Sequence, residues 1–292
     1  MPPGSDPHVF EPSAQQLVQM QQADLIVTNG GGLEAQLDSA LDEAERTGVP
    51  VFRAIDHVDT LTFDGAGHAE DADGDEHAHD DEHSDEEHSG DEHTDEGPED
   101  GHAHGTVDPH FWTDPTRTAA VARALGDELT ALAGNGDVAA RAAEYAQRLE
   151  DMDTEIRAML SALPQAQRTL VTNHQAFAYF ADRYDFEVVG TVIPGVSTDA
   201  EPSAQDLEQL VTTISTQSVG AIFVESTAPD QLARTLAQEV GSDVQVVELY
   251  SESLGEQGSE ASTYLDMVRV NAGRISDALA GSPAEAASSD RG

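Results

Sequence analysis

From about Asp137 to Leu163 the chain places Tyr145, Leu149, Met152, Ile156, Met159 and Leu163 at steps of three and four. That spacing is one apolar face of an amphipathic helix of roughly seven turns, and it splits the chain into two stretches of similar grammar. Before it, Asp24-Leu25-Ile26-Val27-Thr28-Asn29 reads as a buried strand closed by Gly30-Gly31-Gly32. A helix over roughly Leu33 to Arg46 and a strand at Val51-Phe52-Arg53-Ala54 follow. After Pro164, strands over 168–172, 187–193, 220–224 and 244–249 alternate with helices over about 176–184, 203–216, 229–240 and 259–279. Short apolar runs alternating with helical patterns predict parallel sheet of the α/β class.

The element ends carry their own signals. Ser13-Ala14-Gln15-Gln16 has the form of a capping box and starts a short helix through about Gln22; a serine or threonine three residues before Glu or Gln satisfies two orphan amides at once. Asp114 before Pro115 is a cap followed by a proline in the first helical position, and that helix runs to about Leu132, with Gly134-Asn135-Gly136 ending it. One internal echo stands out. Glu11-Pro12-Ser13-Ala14-Gln15-Gln16-Leu17 recurs as Glu201-Pro202-Ser203-Ala204-Gln205-Asp206-Leu207. Chance can produce a match at six of seven positions in a Pro/Ser/Ala-rich chain; a genuine repeat implies two similarly built lobes on either side of the long helix.

Periodicity vanishes over 57–107. Gly, His, Asp and Glu dominate there, with no aliphatic content to offset ordering entropy, so the segment reads as a disordered insertion on a loop. It holds about 18 of the 57 acids and no arginine from Asp64 to Gly105. Net charge is −44, and all 13 basic residues are arginine. Such a chain repels a phosphate backbone, which excludes nucleic acid as a partner; the plain reading of the acid is solubility in a salty milieu. There are no cysteines, so any transition-metal site must use imidazole and carboxylate, which suits zinc or manganese. No run of about 18 apolar residues marks a membrane span. Met1 is followed by Pro2-Pro3-Gly4 rather than by a basic start and an apolar core, so no signal peptide is read.

Three histidines lie in separate ordered motifs: His8 in Asp6-Pro7-His8-Val9-Phe10-Glu11-Pro12, His110 in Asp108-Pro109-His110-Phe111-Trp112, and His174 in Thr172-Asn173-His174-Gln175-Ala176-Phe177. Neutral imidazole is the commonest protein ligand for zinc, and a stiff Pro-X loop lowers the entropy of gathering ligands. Three imidazoles leave a tetrahedral ion one position short, to be filled by a carboxylate or by water. Taken singly, each histidine could equally be a satisfied, half-buried side chain; the shared loop-to-helix setting argues for a site.

A second group of eight histidines lies between His68 and His104. Among them His77, His79, His83, His88, His93, His102 and His104 are candidates for weak, exchangeable metal binding, because their irregular spacing forms no single helical face. The bland alternative is an inert solvated linker. Enzymatic signals are thin: there is no HExxH helix, no GxSxG elbow, no phosphate-cradling loop with lysine, and Gly30-Gly31-Gly32 lacks the spaced dinucleotide fingerprint.

With these residues in hand, the chain resembles the substrate-binding proteins of zinc and manganese ABC importers, the zinc-uptake and adhesin-lipoprotein-like metal-receptor family. The resemblance runs from Pro3 to about Leu279. It is carried by the Pro3–Pro12 motif, by Asp108-Pro109-His110-Phe111-Trp112-Thr113-Asp114-Pro115, by Thr172–Phe177, and by Ile222-Phe223-Val224-Glu225 and Thr263-Tyr264-Leu265-Asp266-Met267. It implies two α/β lobes joined by a rigid helix, with one metal in the cleft between them. His8 and His110 then come from the first lobe and His174 from the second. The fourth ligand falls in Tyr250-Ser251-Glu252-Ser253-Leu254-Gly255, where the family often has an aspartate, so Glu252 is the candidate; Glu225 and Glu256 are substitutes or supporting partners.

The expected cargo is Zn2+, with Mn2+ second, since a histidine at the third ligand position favours the more nitrogen-loving ion. The expected partner is a membrane permease, the expected location extracytoplasmic, and the protein a monomer and not an enzyme. A manganese receptor, a surface adhesin and a zinc hydrolase are the alternatives. The domain layout expected is a first lobe over 1–134 with the insertion 57–107, a linking helix over 137–163, a second lobe over 164–281 and a flexible tail over 282–292. The family's export signal and opening strand–helix–strand are not read before His8, so Met1 is expected to lie inside the usual first domain.

Overall fold

The computed structural model describes residues 1–63, 106–241 and 244–281. The accessory histidines from His68 to His104, His77, His79, His83, His88, His93 and His102 among them, and the tail 282–292, lie outside these residues. The first lobe opens with α1 (Ala14–Met20), β1 (Ile26–Thr28), α2 (Asp38–Arg46) and β2 (Val51–Arg53). β1 and β2 are parallel, Ile26 opposite Val51 and Thr28 opposite Arg53, as a helical crossover requires. The capping box of α1 is formed: Ser13 N–H donates to Gln16 Oε1 (2.8 Å) and Gln16 N–H to Ser13 Oγ (3.4 Å).

A second, antiparallel pair joins β3 (Thr62–Phe63) to β4 (Thr106–Val107). These strands fall inside the segment read as aperiodic. Two residues each are too few to print an alternating pattern, and their order comes from pairing and from the Asp108 N–H donating to Leu61 O (2.9 Å).

α3 (Pro115–Ala133) starts on its Asp114 cap and ends on Gly134 in the left-handed conformation. α4 (Asp137–Leu160) packs tightly against it, and a Cβ on Gly126 of α3 would lie 2.3 Å from the Ala142 side chain. The buried face of α4 is Ala146, Leu149, Met152, Asp153, Ile156 and Leu160. Met159, placed on the apolar stripe by spacing, is 41% exposed; Leu160 takes the core position at that turn, and Asp153 joins the buried face earlier in the stripe. That buried carboxylate is paired with Arg183, whose Nε lies 2.8 Å away, the condition under which a charge can be buried.

The second lobe runs β5 (Thr169–Thr172), α5 (Ala178–Tyr184), β6 (Glu187–Thr191), α6 (Ala204–Thr216), β7 (Ala221–Glu225), α7 (Gln231–Val240), β8 (Gln245–Leu249) and α8 (Tyr264–Ala280). Its four strands are all parallel in the order β6-β5-β7-β8. One face packs on Leu149, Ile156, Phe180 and Ile275 from α4, α5 and α8; the other packs on Leu210, Ile214 and Leu236 from α6 and α7. Both faces of β7 are thus covered and the strand is buried throughout, which explains its unbroken apolar run. The last helix begins at Tyr264, later than its apolar pattern suggests, because Thr263 caps it by accepting from Asp266 N–H (3.2 Å). The molecule is therefore α/β with two lobes, and no helix among the described residues is long and apolar enough to cross a membrane.

Candidate metal centre

Strand order reverses direction between β5 and β7: the chain leaves β5 toward β6 on one side and returns to β7 on the other. In open parallel sheets a crevice forms beyond the carboxyl ends of strands at such a point. His174 follows β5, Glu225 ends β7 and Glu252 follows β8, so three polar side chains arrive at this crevice from sheet ends. The Glu252 loop is tied down from α8, where the Asn271 amide accepts from Tyr250 N–H (2.9 Å) and donates to Tyr250 O (2.7 Å). Trp112 of the first lobe donates its Nε1–H to Ser251 O (2.7 Å).

The first lobe contributes two loops with one tripeptide in common. In both Asp6-Pro7-His8 and Asp108-Pro109-His110, the histidine N–H donates to the aspartate Oδ1, each time at 2.9 Å. Asp108 Oδ1 also accepts from His110 Nδ1–H (2.6 Å). The backbone behind His110 is held by Asn29 Nδ2 donating to Pro109 O (2.9 Å). Gly31 is where the triple-glycine turn meets this loop: its φ is +68°, and a Cβ there would lie 3.4 Å from the Pro109 side chain. The glycines therefore serve close packing against the ligand loop.

These loops bring His8, His110, His174 and Glu252 together, one ligand atom from each lying within 4.8 Å of the others. His110 Nε2 is 3.3 Å from His8 Nε2 and 3.1 Å from His174 Nε2. Glu252 Oε1 is 3.6 Å from both His110 Nε2 and His174 Nε2, and its Oε2 is 3.9 Å from His8 Nε2. Ligands about 2.0–2.2 Å from a tetrahedral zinc stand roughly 3.3–3.6 Å from one another, and these five separations of 3.1 to 3.9 Å bracket that range. His110 and His174 are fully buried and His8 nearly so.

Carboxylates fix the tautomers. With Nδ1–H of His110 on Asp108 and Nδ1–H of His174 on Glu225, each ring turns its Nε2 lone pair into the centre. Burial, with His110 and His174 close by, lowers the His8 pKa to about 4, against the opposing pull of Asp6 and Asp199. Burial lowers His110 too, although its hydrogen bond to Asp108 works the other way. Glu252 is pushed well above the usual carboxylate range by burial first and by Glu225, Asp6 and Asp108 next. Its side chain is fully buried, and neither oxygen has a hydrogen-bond partner among the described residues. Glu256 is exposed and outside the cluster.

Asp108 and Trp112 stand in the quoted motifs, but spacing gave neither a role. The signal that could have found Asp108 is the repeated Asp-Pro-His. Tyr179 gave no signal: from α5 of the second lobe it enters the small first-lobe cluster of Phe52, Ile55 and Phe111. Its hydroxyl donates to Asp108 O (2.6 Å) and accepts from Leu61 N–H (3.0 Å).

A family described as zinc-uptake complex component A, periplasmic, matches residues 1–278. The zinc-binding protein TroA of Treponema pallidum is 30% identical over 96% of this chain and 80% of its own length. The manganese-binding lipoprotein MntA of Bacillus subtilis is 28% identical over 96% of this chain and 81% of its own. The solved structure of periplasmic zinc-binding TroA superposes with a TM-score of 0.76 at 29% identity, covering 96% of this chain and 89% of that one.

Proposed function

This chain belongs to the family of periplasmic zinc-uptake complex component A proteins, and on that premise we propose that it captures one Zn2+ between its lobes and hands it to the permease of an ABC importer. Members of this family are metal-binding transport receptors that work with such permeases outside the cytoplasm. In this reading His8, His110 and His174 each give Nε2, and Glu252 gives a carboxylate oxygen. The observation that carries it is Glu252: a wholly buried carboxylate with no donor to either oxygen, facing three imidazole lone pairs. Such a group is costly to bury unless a cation joins it. Four donors also fill a tetrahedral ion, leaving no open position for the water that a zinc hydrolase would activate.

Zinc suits three nitrogens and one oxygen. Manganese prefers more oxygen, and the second Glu252 oxygen, 3.9 Å from His8 Nε2, is the feature that favours it as the alternative cargo. The histidines from 77 to 104 act in this account as a weak, exchangeable reservoir that raises local supply. Anomalous scattering at the zinc edge, from crystals grown with one equivalent of zinc, tests the assignment. The expected result is one strong peak about 2.0–2.2 Å from the three Nε2 atoms and Glu252; a principal peak anywhere else contradicts it.

A further inference from the structure

The two Asp-Pro-His loops are built alike, yet their aspartates do different things with the remaining bonding capacity. Asp108 turns back on its own histidine ring. Asp6 makes no hydrogen bond with the His8 ring; its Oδ2 accepts from the Thr198 hydroxyl, 2.6 Å away in the second lobe. One carboxylate therefore holds the His8 backbone on one oxygen and the opposite lobe on the other.

Thr198 is anchored in turn. It lies on the loop between β6 and α6, where Gln175 N–H donates to Gly195 O (2.9 Å) and Ile193 N–H to Asn173 O (2.7 Å). A continuous path thus runs from His8 through Asp6 and Thr198 to the residues on either side of His174. Both loops leave through capping boxes, Ser13 with Gln16 and Ser203 with Asp206, so the echoed heptapeptides fix the exits of the two loops that meet here. A second tie crosses the cleft at the other end of the same segment, where Gly4 N–H donates to Ser253 Oγ (2.7 Å) beside Glu252. Pro7 stiffens the step from Asp6 to His8.

We propose that Asp6 and Thr198 are positioning residues forming a latch across the interlobe cleft, which keeps the His8 loop closed over the ion and sets how fast the ion leaves. This rests on the metal-receptor reading, and the latch has no direct bond to the ion. A strained or missing ligand would change affinity through the ion's own bonds; a lost latch acts by letting the loop swing, so it falls mainly on the release rate.

The test uses the full chain with Thr198→Val, which keeps shape and removes the donor, and Thr198→Ser, which keeps the donor. In the metal-free protein, amide hydrogen exchange over residues 4–10 is expected to quicken about tenfold in Thr198→Val and to return to the parent rate in Thr198→Ser, the size expected for one hydrogen bond. After loading with one equivalent of zinc, stopped-flow release to a chromophoric chelator is expected to quicken about tenfold in Thr198→Val, with association changed less than about twofold. Unchanged exchange in Thr198→Val overturns the latch, and does so even if the chain holds no zinc. Faster exchange with unchanged zinc release overturns its role in gating the ion.

Discussion

In the second lobe, His174 and Glu225 stand at the carboxyl ends of neighbouring parallel strands, in a four-stranded sheet covered on both faces. In the first lobe, His8 and His110 stand on loops backed by strands of three residues or fewer and a small apolar cluster. A packed sheet positions whatever follows its strands, because the backbone there has a single low-energy path. The first-lobe loops are positioned by discrete polar ties instead, several of them across to the opposite lobe: Tyr179 to Asp108, Trp112 to Ser251, Thr198 to Asp6. Stability should therefore be concentrated in the second lobe, and adjustability of the site in the first.

The sharpest way to break this contrast is to cut one core side chain from each lobe. Ile222 is fully buried in β7 and Ile55 is 7% exposed in the first-lobe cluster. Ile222→Ala should cost about 4 kcal/mol of unfolding free energy and Ile55→Ala about 2 kcal/mol, read from urea midpoints. Equal costs would remove the asymmetry.

Next come the carboxylates behind the imidazoles. Glu225→Gln and Asp108→Asn should each weaken zinc affinity by roughly 10–100-fold, measured by competition with a chelator. Tyr179→Phe strips one hydroxyl that serves both Asp108 and Leu61, leaving a buried acceptor and a part-buried donor without it. A cost of about 2 kcal/mol is expected, with zinc affinity falling alongside; stability lost with affinity unchanged would show that the tie does not reach the site.

The smallest effect is on pH. His8 titrates near 4, so it stays neutral over the mildly acidic range and has no proton to lose there. Glu252 is held protonated above the usual carboxylate range, so an incoming ion displaces its proton. Affinity should rise with pH by up to about tenfold per unit until Glu252 ionises in the metal-free chain, and the steepness should vanish in Glu252→Gln. Persistence of the full slope in that variant would assign the proton to a histidine.

The alternation of apolar runs with helical patterns made the α/β architecture legible, since each strand of the second lobe is long enough to show as an apolar run of its own. The histidines were legible as a set because each sits in a motif of proline or asparagine before an apolar run, and Glu252 because of its place in a family-like loop. What escaped has a common cause. β3 and β4 are two residues each, and their pairing joins positions 62 and 107 across a segment without pattern. Tyr179 looks like one more helix aromatic until the lobes are brought together. Asp153 breaks the α4 stripe because its partner Arg183 is 30 residues away. Contacts that depend on a distant partner leave no local period to read.

The claim at the centre is that one ion sits on His8, His110, His174 and Glu252 while the histidine tract binds only weakly. Phe63 and Thr106 pair directly, so residues 64–105 can be replaced by a short Asn-Gly turn and the product titrated calorimetrically with zinc. A single tight site is expected to survive this deletion and to be abolished by adding His110→Ala. Disappearance of tight binding with the tract, or its survival in the His110→Ala variant, would contradict the claim.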